Sequence, residues 1–229
     1  MMASAMTLSL IIPTLNNGER LAAMIRAWQT ALGPDEIIVS DGGSTDGTGS
    51  AAEQSGAVVV RAPSGRGNQL RAGAEHATGD WLLFMHADTL PGANAGPAAR
   101  AFMTDTANTD RAAAFRLTLD DEEPAARRIE RLANWRAQRF SLPYGDQGLL
   151  VSRAAYGAAG GYRPIPLMED VDLVRRFGRS RVDILNAEVA TSAERYRRDG
   201  YWARPMRNIT LLSLFFLGVS PVRLARWYG

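Results

Sequence analysis

A chain of 229 residues that is 46% hydrophobic and 22% charged has the balance of a globular protein, which excludes wholesale disorder. It has no cysteine, and all 26 of its basic residues are arginine, so disulfide frameworks, thiolate metal sites, cysteine nucleophiles and lysine-dependent chemistry are excluded. The net charge of +2 hides an asymmetry: residues 1–114 carry 7 Arg against 11 Asp and Glu, residues 115–229 carry 19 Arg against 13.

The predicted elements begin with a short strand, Leu8 to Ile12, stopped at Pro13. The segment Met1 to Met6 lacks basic residues and the apolar run behind it is too short for a signal-peptide core. Asn17 is placed to cap a helix whose apolar face is Leu21, Met24, Ile25 and Trp28 at i, i+3, i+4, i+7 spacing. Glu36 to Ser40 is a second strand, followed by the turn-rich DGGSTDGT. A short helix leads to the strand Ala57 to Arg61. The loop APSGRG then opens a helix ending near Ala77, and Trp81 to Met85 is a fourth strand. These apolar strands, alternating with helices, predict a parallel sheet covered on both faces. Beyond it, Ala112 to Leu119 reads as a strand. Pro124 to Phe140 reads as an Arg-rich helix that packs through Ile129, Leu132, Ala133 and Trp135. Gly148 to Ser152 and Val182 to Leu185 are short strands flanking a helix over Met168 to Gly178. Arg204 to Tyr228 is helical and apolar. Its run Ile209 to Val219 is too short to span a bilayer, which needs about 20 residues.

Ligands of open α/β sheets bind beyond the carboxyl ends of the strands. There the chain places Pro13, Thr14 and Asn16 after the first strand and Asp41 after the second. Ser64-Gly65-Arg66-Gly67 follows the third strand, and His86-Ala87-Asp88 follows the fourth. Glycines for close backbone approach, an arginine for phosphate and carboxylates for a sugar, base or cation meet at one sheet edge.

The segments LSLIIPTLNNGERL, EIIVSDGGSTDGT and GDWLLFMHADTLP, in this order, resemble family 2 glycosyltransferases of the GT-A fold. SGRGNQLRAGAEHATGD and LGVSPVRLARWYG resemble the bacterial subfamily described as radical-SAM/selenodomain-associated transferases. The resemblance implies an α/β GT-A domain over residues 1–229 with a mainly parallel, Rossmann-like sheet, helices on both faces and C-terminal helices. Residues 1–90 would be its nucleotide-binding half, 91–200 its acceptor and catalytic half, and 201–229 its apolar C-terminal helices. It implies transfer of a sugar, with inversion, from a UDP- or GDP-linked donor to a hydroxyl acceptor: a lipid, a glycan, a metabolite or a peptide. Asp41 would bind the base, and Pro13, Thr14 and Asn16 would line its pocket. Arg66, with Gln69 behind it, and His86 would face the nucleotide sugar. Asp88, the last residue of a DXD-like triplet, would hold a divalent cation, Mn2+ or Mg2+. His86 stands where the family has a carboxylate, leaving one carboxylate for the metal.

In the family, an ED pair late in the fold carries the general base. Here that is Glu169-Asp170, with Asp170 as base and Glu169 tuning it or binding acceptor. Asp146 and Gln147 of Gly145-Asp146-Gln147-Gly148 are expected at the acceptor, and Asp172 is expected to be a surface charge. Arg195, Arg197, Arg198, Arg204 and Arg207 are candidates for closing over the diphosphate. The C-terminal apolar helix favours burial or homodimerisation over peripheral contact with the inner face of the membrane, and the expected location is cytoplasmic. Nucleic acid is not an expected partner, because the basic residues are dispersed and the strand-end carboxylates repel a phosphate backbone. Two other readings fit the residues less well: a protein that binds a nucleotide sugar without using it, and a sugar-nucleotide pyrophosphorylase.

Overall fold

A computed structural model describes residues 6–228; the segment preceding Met6, including most of the run examined for a leader, lies outside the described residues. The sheet begins with β1 (Leu8–Thr14), β2 (Glu36–Asp41), β3 (Val58–Arg61) and β4 (Trp81–Phe84). It continues with β5 (Thr89–Pro91), β6 (Ala112–Leu119), β7 (Leu149–Ser152) and β8 (Val182–Thr191). These form one eight-stranded sheet in the order β3-β2-β1-β4-β7-β6-β8-β5. The half from β3 to β4 is parallel, as expected. β7 then runs antiparallel to both β4 and β6, and β5 antiparallel to β8, so the second half is mixed.

Alternation along the strands supplies both faces. Leu8, Leu10 and Ile12 of β1 and Trp81 and Leu83 of β4 point into one apolar layer. They meet α1 (Gly18–Ala31) through Leu21, Met24, Ile25 and Trp28, and α4 (Ala95–Thr104) through Ala99 and Phe102. Ile11, Leu82 and Phe84 point into the opposite layer. There they pack on α3 (Arg66–His76), α6 (Arg153–Ala158), α7 (Glu169–Phe177) and the C-terminal helices α9 (Ala203–Phe216) and α10 (Pro221–Tyr228). Two further helices, α2 (Thr48–Gln54) and α8 (Glu194–Asp199), lie in connections.

Several expectations need correction. Asn17 makes no side-chain cap; the start of α1 is tied through backbone N–H groups of Asn17 to the Thr48 hydroxyl (2.9 Å) and of Gly18 to the Asp46 carboxylate (3.3 Å). The last strand extends to Thr191 rather than ending at Leu185, because a bulge between Ala114 and Arg116 lets β6 and β8 stay paired. In α5 (Pro124–Phe140), Ile129 and Ala133 are buried, but Leu132 and Trp135 face outward. The C-terminal region breaks at Gly218 into two helices. Leu211 and Leu224 are buried, whereas Met206, Ile209, Phe216, Leu217, Val222 and Trp227 are exposed, so burial covers one side of these helices only.

Candidate active site

The strand-end loops of β1 and β2 are fastened to each other before any ligand is considered. Asp41 is buried, and its two oxygens accept the Ser44 N–H (3.1 Å each), while Oδ1 also accepts the Ser44 hydroxyl at 2.5 Å. Asn16, in the left-handed region at φ 50°, accepts the Thr45 N–H on its Oδ1 at 2.9 Å. Gln69 is buried, and its amide donates to the carbonyls of Thr14 (2.5 Å) and Ser40 (3.0 Å). It is a clasp across the ends of β1 and β2. Pro13 is buried in the sheet and offers only backbone and ring. Thr14 differs: its hydroxyl is buried with no hydrogen-bond partner among the described residues.

A second cluster forms one polar pocket, lined by Arg66, His86, Asp88, Asp146, Glu169 and Asp170 among others. The fold brings them from four different places in the chain. Met168 turns the chain into α7 in the left-handed region (φ 64°), a conformation that costs a non-glycine residue roughly 1–2 kcal/mol and aims Glu169 and Asp170 inward. Asp170 Oδ2 accepts the Gly145 N–H at 2.7 Å, which fixes that carboxylate against the turn carrying Asp146. A Cβ on Gly145 would lie 2.7 Å from His86 Nε2 and 3.6 Å from Asp170 Oδ2, so only glycine allows the three to converge. Gly67 acts similarly at the start of α3: a Cβ there would lie 2.5 Å from the Arg163 carbonyl. The close packing holds Arg66 beside Glu169 at 3.7 Å.

The electrostatics are unusual for a surface cleft. Burial, and then the Asp170 charge, pushes the Glu169 carboxyl up to about 7 against the pull of Arg66. Burial likewise raises Asp146; Arg136 and Arg66 oppose this, and Asp170 and Asp88 reinforce it. Its Oδ1 is buried without a partner. Burial, aided by Arg66 and Arg195, holds His86 well below the usual imidazole range, so its ring is neutral, and Nε2 has no hydrogen-bond partner among the described residues. Asp88 makes one long contact, accepting the Thr191 hydroxyl at 3.4 Å. Among the described residues no group of three or more His, Cys, Asp or Glu side chains is placed to hold a metal. Asp88 therefore offers a single hard oxygen ligand, a set that fits a cation completed by a diphosphate rather than one caged by protein.

One expected site residue and one expected surface charge are turned inward. Gln147 is fully buried; its amide donates to the Phe115 carbonyl (2.9 Å) and accepts from the Tyr144 N–H (3.3 Å) and Arg136 (3.2 Å), so it builds the turn and does not face an acceptor. Asp172 is not a solvated charge: it pairs with Arg176 (2.8 Å) and Arg163 (3.2 Å), pinning the loop before α7. Tyr144, Thr191, Asn208 and Tyr228 also line the pocket, and sequence reasoning did not single them out. None of these had a local signal: Thr191 ends β8, but the sequence pattern stops that strand at Leu185. Arg195 lines the pocket with no carboxylate partner among the described residues, whereas Arg197, Arg198, Arg204 and Arg207 pair with Asp121 or Asp199.

An edge of parallel strand ends joined to a carboxylate-rich pocket is the layout of an α/β protein that takes a phosphorylated ligand across its sheet edge. Comparison with known proteins makes this specific. The family described as glycosyl transferase family 2 matches residues 9–156, and the chain belongs to that family. Glycosyltransferase AglJ of Haloferax volcanii is 38% identical over 81 residues, covering 34% of this chain and 26% of its own, so the match spans about a quarter of that relative. Mannosyltransferase PcManGT from Pyrobaculum calidifontis, solved with GDP-Man and Mn2+, superposes with a TM-score of 0.65 over 90% of this chain and 65% of its own, at 19% identity. Glucosyl-3-phosphoglycerate synthase from Mycobacterium tuberculosis, solved with Mn2+, UDP and glucosyl-3-phosphoglycerate, gives a TM-score of 0.58 over 82% of this chain and 71% of its own, at 20% identity. The fold is that of the GT-A glycosyltransferases.

Proposed function

We propose that this chain is an inverting glycosyltransferase that uses a nucleotide-diphospho-sugar. The observation that carries the reading is the Asp170 carboxylate, fixed at 2.7 Å by the Gly145 N–H in a pocket shared with Asp88 and Arg66. In-line transfer requires a base on the acceptor side and charge stabilisation on the leaving-group side. Asp170 takes the acceptor hydroxyl proton. The acceptor oxygen bonds to the anomeric carbon as that carbon's bond to the diphosphate oxygen breaks, and the electron pair leaves with the diphosphate. Arg66 and Arg195 face the charge that develops there. Asp88 would hold a divalent cation, whose bound charge neutralises the diphosphate oxygens. Thr14, with Asp41 and Asn16 shaping the loop, lines the base end. Asp146 and Glu169 contact the acceptor.

The relatives solved with UDP or GDP-Man and Mn2+ support a UDP- or GDP-linked donor and Mn2+ or Mg2+. The segments around Arg66 and at the C-terminus support a place in the radical-SAM/selenodomain-associated branch. No helix among the described residues is long and apolar enough to cross a membrane.

The test is Asp170→Asn, which preserves shape and the oxygen facing Gly145. Release of UDP or GDP from UDP-glucose or GDP-mannose with Mn2+ should fall about 10²- to 10⁴-fold, the usual contribution of a general base. The thermal shift given by UDP or GDP with Mn2+ should persist. Turnover within tenfold of the parent would remove Asp170 from this role.

A further inference from the structure

Next to the polar pocket lies a second, larger space. Residues of α5 and α9 line a groove of about 810 Å³, a size typical of small-molecule sites. Ile129, Leu142 and Val174 contribute to its lining. Leu132 and Trp135 from α5 and Met206 and Ile209 from α9 line it while remaining 54–61% exposed. Apolar side chains left open on two facing helices form a contiguous patch of the kind that marks a binding surface.

Two features define what the groove fits. It is continuous with the polar pocket: Tyr144, Asp146, Tyr196 and Asn208 line both. Its walls are also cationic. Arg128, Arg136, Arg175 and Arg179 line it with their guanidinium groups over the rings of Trp202 (5.4 Å), Tyr144 (3.4 Å), Phe216 (4.7 Å) and Phe140 (5.6 Å). None of the four is ion-paired with a carboxylate among the described residues. Among the described residues the sole carboxylate lining the groove is Asp146, at the junction.

We infer that this groove holds the hydrocarbon chain of an anionic amphiphile, and that the sugar acceptor is such an amphiphile, with its polar head passing Tyr144 and Asp146 to reach Asp170. The assignment rests on the Asp170 pocket being the transfer site. A second copy of the chain is a poorer occupant, because a two-fold interface would set these four arginines against the same four. A neutral glycan or small metabolite leaves both the apolar walls and the arginines without a partner.

The experiment uses the full chain with octyl, decyl and dodecyl phosphate below their critical micelle concentrations. Binding is read by calorimetry and by the fluorescence of Trp135 and Trp202. Affinity should rise about two- to fourfold per added methylene until the groove is filled, in line with the transfer free energy of a buried CH₂. The phosphates should bind better than alkyl glucosides of equal length. Ile209→Glu and Met206→Glu, both at exposed positions, should weaken binding at least tenfold without altering UDP or GDP binding with Mn2+. Affinity independent of chain length, or unchanged in both variants, overturns the proposal. So does a dimer that Ile209→Glu dissociates and dodecyl phosphate does not. Nucleotide titration of the same samples separates the two readings: chain binding without nucleotide binding refutes the donor site, and nucleotide binding without chain binding refutes the groove.

Discussion

Replacing Glu169 with glutamine isolates the cost of a buried charge in this site. Glu169 is 3% exposed, and its nearest cation is Arg66 at 3.7 Å. Burial and Asp170 push its carboxyl from the ordinary 4.5 up to about 7. Between those values the folded protein binds a proton that the unfolded chain has released. Stability is therefore full below the unfolded value and declines as pH rises through the folded one. The gap corresponds to on the order of 3 kcal/mol. Glutamine has the same shape and no charge to bury, so the variant escapes that decline. For a chain of this size each kcal/mol is about 2–4 °C in Tm, so the difference between variant and parent should grow by roughly 5–10 °C between pH 5 and pH 8. Scanning calorimetry at fixed ionic strength measures it. Asp146, which also titrates upward, is present in both proteins and leaves the difference unaffected to first order. A Tm difference constant across that range would refute the assignment of a buried, elevated carboxyl at Glu169.

Gly145→Ala places a Cβ 2.7 Å from the buried His86 nitrogen. The overpacking should cost about 1–3 kcal/mol of stability and lower kcat at least tenfold; calorimetry and donor-hydrolysis rates check both. Arg195→Gln should weaken UDP or GDP binding several-fold and leave Tm within a degree or two, because the side chain is exposed and has no carboxylate partner among the described residues. Arg197→Gln should change neither nucleotide binding nor Tm appreciably, since its pairing with Asp121 at 2.8 Å leaves the guanidinium about half exposed and such pairs contribute little.

The periodic and apolar parts of the fold were legible because their signals are local. The i, i+3, i+4, i+7 face of α1 is buried to the last residue, and β6 and α5 occupy the expected ranges. β5 was not legible: three residues around a proline carry no pattern, and only pairing with β8 makes them a strand. The same pairing brings Asp88 to Thr191, so part of the site was hidden with it. Arg66, His86, Asp88, Asp146, Glu169 and Asp170 do converge on one pocket. Gln69 and Gln147 show the limit. A glutamine next to a site motif has the same spelling whether its amide meets a ligand or a strand-end carbonyl, and the choice depends on backbone brought from 55 residues away for Gln69 and 32 for Gln147.

The arginine excess of the second half resolves into three uses that composition alone cannot separate. Some arginines are structural rivets: Arg204 is buried against Asp199 (2.8 Å) and the Tyr228 hydroxyl (3.0 Å), which docks α10 onto α9. Others, Arg66 from the first half and Arg195 from the second, face the polar pocket. A third set lies over aromatic rings along the apolar groove. Guanidinium suits all three, because it stays charged when desolvated, bonds carboxylates in two directions and stacks flat on rings. Lysine at the stacked positions would keep the charge but lose the planar contact. The absence of lysine therefore matters most in the groove, where the same residues stay cationic while lying against aromatic rings.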